Sequence, residues 1–298
     1  MSRLNNILKK SKLLKVIYPK YIKIKGKVRV FFMKKTQKPL FEEDLIKQFP
    51  SLGINPGDKI VVNSSMSKIG VLANGATTFI NALKEYITPD GLIVMPTYPH
   101  RNSYEYLENY IIFDVNETPS QNGALTECFR KSENVFRSIH PTHSLAAWGK
   151  NAKELMSGHE FSKSMYDKNS PYKKLLDINV KSFLIGVNFD HMIMIRVIDD
   201  LYESYPINPY IENIIYHVTV KGYDGEFIEM ETVCHDPKYF SFERQNMKLF
   251  DYMKDKITFG KLGNAETWVL SSQEMFNIQK ECAQQGIFPF NKLRFKDK

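Results

Sequence analysis

At 298 residues, 43% of them hydrophobic and 13% aromatic, the chain can fill one large domain and is too apolar to stay unfolded. Its formal charge of +8 is unevenly placed: 13 of the 41 Lys and Arg residues lie in residues 1–40 with no acid among them, leaving 28 bases against 33 acids, a net charge of about −5, for residues 41–298. That distribution excludes a basic nucleic-acid-binding fold, and Cys128, Cys234 and Cys282 are too few and too scattered for a disulfide framework or a thiolate zinc site.

The basic segment, residues 1–40, interleaves apolar residues with lysine. It reads as an amphipathic arm, either packed on the body or a second subunit, or drawn to an anionic membrane surface. A short helix is predicted in FEEDLIKQFPSLGI, ending near Pro50. KIVVNSSM reads as a buried strand entering a serine-rich turn, GATTFINALKEYI as an amphipathic helix and LIVMPTY as a second buried strand. Strand, helix, strand in this order favours a parallel pair. Residues 98–122 lack periodicity and read as a long loop. GALTECFRK is a helix, SLAAWG a strand, NAKELM a helix, and Ser170-Pro171 opens another. KSFLIGVNF is a third core strand, IIYHVTVKGYDGEFIEMETV an antiparallel hairpin, and the region after Gly260 a strand and a helix. The fold class is therefore α/β: one domain, residues 41–298, with a mixed, largely parallel central sheet flanked by helices plus an antiparallel hairpin region. No run of 18 uncharged apolar residues spans a membrane, and lysines interrupt every candidate signal-peptide core, so a cytoplasmic protein is expected, with membrane association through the arm as the variant.

Two stretches carry candidate chemistry. RSIHPTHSLAAWG places His140 and His143 around Pro141. Proline disfavours helix at His140, and no third ligand has a matching spacing, so no metal is expected. Catalysis or a hydrogen-bonded place in the core remain for these imidazoles. NSSMSKIG sits at a strand end ahead of a helix, where backbone N–H groups and hydroxyls can seat a phosphate or a polarised carbonyl, or simply cap the helix.

Together GDKIVVNSSMSKIGVLANGATTFINALKEYITPDGLIVMPTY, TPSQNGALTECFRKSENVFRSIHPTHSLAAWGKNAKEL, NSPYKKLLDINVKSFLIGVNFD and FGKLGNAETWVLSSQEM resemble the aminoglycoside 3-N-acetyltransferase family, which also includes acyltransferases of nucleotide-linked amino sugars. The resemblance runs in order from Gly57 to Met275. It implies acetyl-coenzyme A or another short acyl-coenzyme A as donor, an amine as acceptor and no metal. It places Ser64, Ser65, Met66, Ser67, Pro96, Thr97 and Ser144 at the donor. Two departures fall on the chemistry. Asn63 replaces the histidine that usually leads the serine turn. After the third core strand, where the family's pattern Asp-Ser-Asn-Thr-x-x-His-x-x-Glu carries the general base, this chain has Arg196 at the histidine position and Asp199 at the glutamate position. Arginine cannot serve as a base at neutral pH.

The base is then expected to be His140, or His191 five residues from the lost histidine, with Asp199 in the site to hold Arg196 or to bind the substrate ammonium; His143 is expected to face away. Asn63, Asp190 and Arg196 are expected to bind the acceptor. An arginine there suits the pyrophosphate of a nucleotide-linked amino sugar used for a surface glycan. The alternatives are an aminoglycoside N3-acetyltransferase, a non-catalytic ligand-binding relative, and an acyltransferase of a lipid-linked glycan. A structural Arg196–Asp199 pair without substrate contact is the competing reading of those two residues. A homodimer stays open.

Overall fold

The structure, a computed structural model, describes residues 36–205, 208–237 and 246–288. Helix α1 (Glu42–Ile46) leads into strand β1 (Lys59–Ser64), the one-turn helix α2 (Met66–Ile69), helix α3 (Ala76–Ile87) and strand β2 (Leu92–Pro96). Then follow α4 (Ser103–Glu108), β3 (Phe113–Asp114), α5 (Ala124–Arg130), β4 (Phe136–Arg137) and β5 (Leu145–Gly149). Next come α6 (Ala152–Met156), α7 (Pro171–Asp177), β6 (Lys181–Ile185) and α8 (Ile198–Leu201). The last part holds β7 (Tyr216–Lys221), β8 (Phe227–Thr232), α9 (Asn246–Met253), β9 (Thr258–Leu262), β10 (Ala265–Ser271) and α10 (Ser272–Gln284).

Seven strands form the central sheet in the order β4-β5-β2-β1-β6-β10-β9, and β3-β7-β8 form a second, smaller one. Parallel pairing holds the centre, where β1 lies between β2 and β6, and the strands on both flanks pair antiparallel. Residues of the central strands alternate between two cores because successive side chains point to opposite faces. Val61, Val94, Leu145 and Leu184 enter one core with Met156, Tyr172, Leu175 and Met275 of α6, α7 and α10. Ile60, Val62, Ile93, Phe183 and Ile185 enter the other with Leu45, Phe79, Leu83 and Phe129 of α1, α3 and α5. With both faces covered, β1, β2 and β6 need near-continuous apolar sequence, and they have it. The hairpin read at 213–232 is β7–β8.

Two segments hold more structure than their sequences announce. Within 98–122, the Asn102 side chain accepts from the Tyr104 and Glu105 amides at 3.1 and 3.4 Å and starts α4. Leu107 and Phe113 bury against Val218, Val220 and Met230 of the small sheet, so their partners are remote and no local period appears. After Gly260 the expected single strand is a hairpin, β9–β10, turning at Gly263 with φ +57°.

Residues 1–35 of the basic arm lie outside the described residues. Residues 36–40 lie against the body: the Leu40 amide donates to the Val71 carbonyl at 2.7 Å and the Ala73 amide to the Leu40 carbonyl at 2.9 Å. Among the described residues no helix is long and apolar enough to cross a membrane.

Candidate active site

A cleft of about 400 Å³ opens beyond the carboxyl ends of the parallel strands. Asn63 and Ser64 reach it from β1, Pro96 from β2, and Asp190, His191 and Arg196 from the segment after β6. This is where open α/β sheets gather ligands, since neighbouring strands send their connections apart and leave a crevice. Tyr98, Asn122, His143, Tyr166 and His235 complete its walls. A second cavity of about 610 Å³ is lined by Met66 and Ser67 of α2 and the loop Gly70–Gly75.

The His-Pro-Thr-His stretch divides in the opposite sense to that expected. His140 is fully buried, and its Nδ1 accepts from the Thr142 and His143 amides at 3.2 and 3.1 Å. That leaves the proton on Nε2, and the ring stacks on His159, centroids 4.3 Å apart. Burial, with His100 nearby, pushes the His140 pKa down to about 3. His140 thus lies behind the cleft wall as part of its support. His143 lines the cleft instead, its Nδ1 3.0 Å from the Thr142 hydroxyl and its ring 4.6 Å from Tyr98. Burial first, then repulsion from His100 and His235, keep its pKa well below 6.5. Tyr172 sets this wall: its hydroxyl donates to the His143 carbonyl at 3.2 Å and lies 2.7 Å from the Tyr98 hydroxyl.

The residues assigned to the donor also separate. Ser64 and Pro96 face the cleft, and Met66 and Ser67 face the second cavity. Ser65 caps α2 between them, with its amide donating to the Ile185 carbonyl at 2.9 Å, so that N–H is committed to the sheet. Thr97 and Ser144 are fully buried, and their hydroxyls accept from the Arg137 Nε, each at 3.2 Å. The same guanidinium donates to the Thr97 and Thr118 carbonyls and packs 4.6 Å over Phe113. Thr97 and Ser144 therefore anchor a buried arginine beneath the cleft rather than lining it.

Of the residues assigned to the acceptor, Asn63 is buried, and its Oδ1 has no hydrogen-bond partner among the described residues. Such an atom costs stability until a ligand N–H reaches it. His191 is exposed at the mouth, its Nδ1 bonded to the Asn188 side chain, and Asp190 lies beside it. Arg196 pairs with the fully buried Asp199 at 2.6 Å, so the structural pairing is present even though the guanidinium also borders the cleft. Burial opposes its charge, and the combined attraction of Asp199, Tyr205, Tyr166 and Tyr210 outweighs it and raises its pKa. Asp199 sits behind Arg196. Sequence reasoning passed over His235, whose Nε2 lies 3.6 Å from the same Asp199 oxygen. It stands alone in VCHD, and no spacing ties it to Asp199.

The family model for aminoglycoside 3-N-acetyltransferases matches residues 61–284. The chain belongs to that family. Its fold is shared with the aminoglycoside acetyltransferase AAC(3)-Xa, at a TM-score of 0.71 and 20% identity over 86% of this chain and 95% of that one. It is likewise shared with AAC-IIIb solved with coenzyme A, at a TM-score of 0.71 and 19% identity over 85% of this chain and all of that one. Among curated relatives, aminoglycoside N(3)-acetyltransferase III of Pseudomonas aeruginosa is 26% identical over 253 residues, 78% of this chain and 89% of that protein. The aminoglycoside N(3')-acetyltransferase-like protein YokD of the Bacillus subtilis SPbeta prophage is 29% identical over 169 residues, 51% of this chain and 62% of that protein. As a member of this acetyltransferase family the chain is an enzyme with an acyl-coenzyme A co-substrate and an amine acceptor. Among its described residues no three His, Cys, Asp or Glu side chains are grouped to hold a metal.

Proposed function

We propose that the chain transfers the acetyl group of acetyl-coenzyme A to a ring amine of an aminoglycoside in the cleft beyond β1, β2 and β6. The observation that carries this reading is the family match over residues 61–284, on a fold whose cleft lies where such sheets bind ligands. Two of the relatives named above, AAC(3)-Xa and the Pseudomonas aeruginosa protein, are aminoglycoside acetyltransferases by name, and this supports the aminoglycoside over the nucleotide-linked sugar expected from Arg196. In this reading the thioester lies beside Ser64 and Pro96, with the pantetheine and nucleotide toward Met66 and Ser67. Asn63 offers its side-chain oxygen to an N–H of donor or acceptor. Transfer needs the amine held against the carbonyl carbon, a base for its proton and donors for the oxyanion; no serine need be acylated.

One observation favours a second acceptor class. Arg101 and Arg196 both border the cleft, and although Asp199 offsets the charge of Arg196, guanidinium N–H groups on the wall suit an amino sugar bearing an anionic group better than a polycation. The test is thiol release and product mass with acetyl-coenzyme A and two acceptor sets, gentamicin-type aminoglycosides and amino-sugar nucleotides. Acetylation of the first set supports the main reading, and acetylation of the second alone replaces it. No transfer to either, with acetyl-coenzyme A bound, would leave a ligand-binding relative.

A further inference from the structure

We propose that His235, oriented by Asp199, is the general base that removes the proton from the attacking amine. The proposal rests on the acetyl-transfer reading and names the group that supplies its proton chemistry. His235 lines the cleft, and its Nε2 is 3.6 Å from the Asp199 Oδ2, which also pairs with Arg196 at 2.6 Å. The 3.6 Å separation is beyond hydrogen-bond length but within ion-pair reach, so the Asp199 charge stabilises the imidazolium formed when the ring takes a proton. Arg196 fixes the carboxylate in turn, so an arginine that cannot act as a base positions the group that orients one.

The imidazole is also held rigidly. Its ring stacks on Tyr210, 5.0 Å away and 5° from parallel. The Tyr210 hydroxyl donates to Asp200 at 2.5 Å, and the backbone on both sides is paired, Ile211 to Cys234 at 3.0 Å and Asp236 to Pro209 at 3.0 Å. The rival imidazoles lack this combination. His140 is behind the wall, and His191 is exposed on Asn188. His143 is beside His235, ring centroids 6.2 Å apart, with a threonine hydroxyl on its Nδ1. It faces the same space and helps to shape it.

In the step itself, the His235 imidazole takes one proton from the substrate ammonium. The freed nitrogen lone pair forms the N–C bond at the thioester carbonyl, and the C–S bond breaks as the carbonyl re-forms. The thiolate leaves with the sulfur electron pair and receives the proton held on His235. The second amine proton passes to solvent, so acetyl-coenzyme A and the ammonium give amide, thiol and one proton.

The test uses the full chain with the acceptor that turns over best. His235→Phe keeps the stack on Tyr210, and His235→Gln keeps a polar side chain. Both should melt near the wild type, lose about 100-fold or more in kcat and change KM for acetyl-coenzyme A less than about twofold. Asp199→Asn should lose about 10-fold or more. The acid limb of the wild-type kcat/KM profile should vanish in both His235 variants. The charged or titratable groups facing that imidazole, Asp199, His143, Tyr166 and Tyr210, would remain in place. Free imidazole should restore part of the rate to His235→Ala. Activity of His235→Phe and His235→Gln within about threefold of wild type, or loss of the acid limb on His143→Gln alone, overturns the assignment while acetyl transfer stands. A wild-type chain that acetylates no amine overturns both.

Discussion

When the folded chain is taken from pH 7 to pH 4.5, the perturbation falls on four buried imidazoles, His100, His140, His143 and His159. In the unfolded chain each takes up a proton near pH 6.5. In the folded chain burial, aided by neighbouring imidazoles, holds His140 down to about 3 and His143 and His159 well below 6.5. Burial also lowers His100 to about 4. Unfolding between pH 6.5 and 4 therefore takes up protons, and stability falls as pH falls. Asp200 acts the other way: burial raises its pKa to about 6, so below that the folded state holds a proton the unfolded state lacks. Four imidazoles against one carboxyl leave roughly three protons taken up, or about 4 kcal/mol lost per pH unit. Total stability of about 5–15 kcal/mol cannot absorb much of that. The urea midpoint, followed by circular dichroism, should fall steeply below pH 6, with cooperative unfolding near pH 4.5 in buffer alone. His159→Gln can still bond the Ser138 hydroxyl, 2.9 Å from His159 in the native chain, and should reduce the slope by about 1.4 kcal/mol per pH unit. A urea midpoint unchanged between pH 7 and pH 5 would refute the neutral, buried cluster.

Asn63→Leu removes a buried oxygen without a partner among the described residues, and should leave the melting temperature unchanged or raised while weakening substrate binding, read by titration calorimetry. Gly149→Ala should cost several kcal/mol in urea titrations, since φ is +107° and the added Cβ would stand 2.2 Å from the Gly91 carbonyl oxygen. Phe183→Ala should lose about 3–5 kcal/mol, because the ring is fully buried edge-on to Phe49 between β6 and the α1 region. Tyr172→Phe should cost about 1–2 kcal/mol and raise the acceptor KM, because Tyr98 and the His143 carbonyl lose their shared hydroxyl; an unchanged KM would mean that this wall does not touch the acceptor.

Much of the fold is legible in the chain itself. The apolar runs of β1, β2 and β6, the helix at 76–87 and the hairpin at 213–232 all follow from local periodicity and turn residues. Ser64 and Pro96, which the family resemblance sets at the donor, do line the cleft at the ends of β1 and β2. Helix α4 and strand β3 were not legible, since Leu107 and Phe113 answer to β7 and β8, more than a hundred residues away.

The side-chain roles divide along the same line. The family resemblance identified the altered pair Arg196 and Asp199, and arginine is a poor base wherever it lies. Which of His140 and His143 faces the ligand was decided by two backbone amides folding onto the His140 Nδ1 and by Tyr172 holding the His143 carbonyl. Thr97 and Ser144 turned inward because Arg137, from β4, needed acceptors for its buried donors. His235 came to Asp199 from beyond β8, across 36 residues of chain. Periodicity reports which face of its own element a residue occupies, whereas the partner of a polar side chain is set by elements that meet only when the whole sheet has closed.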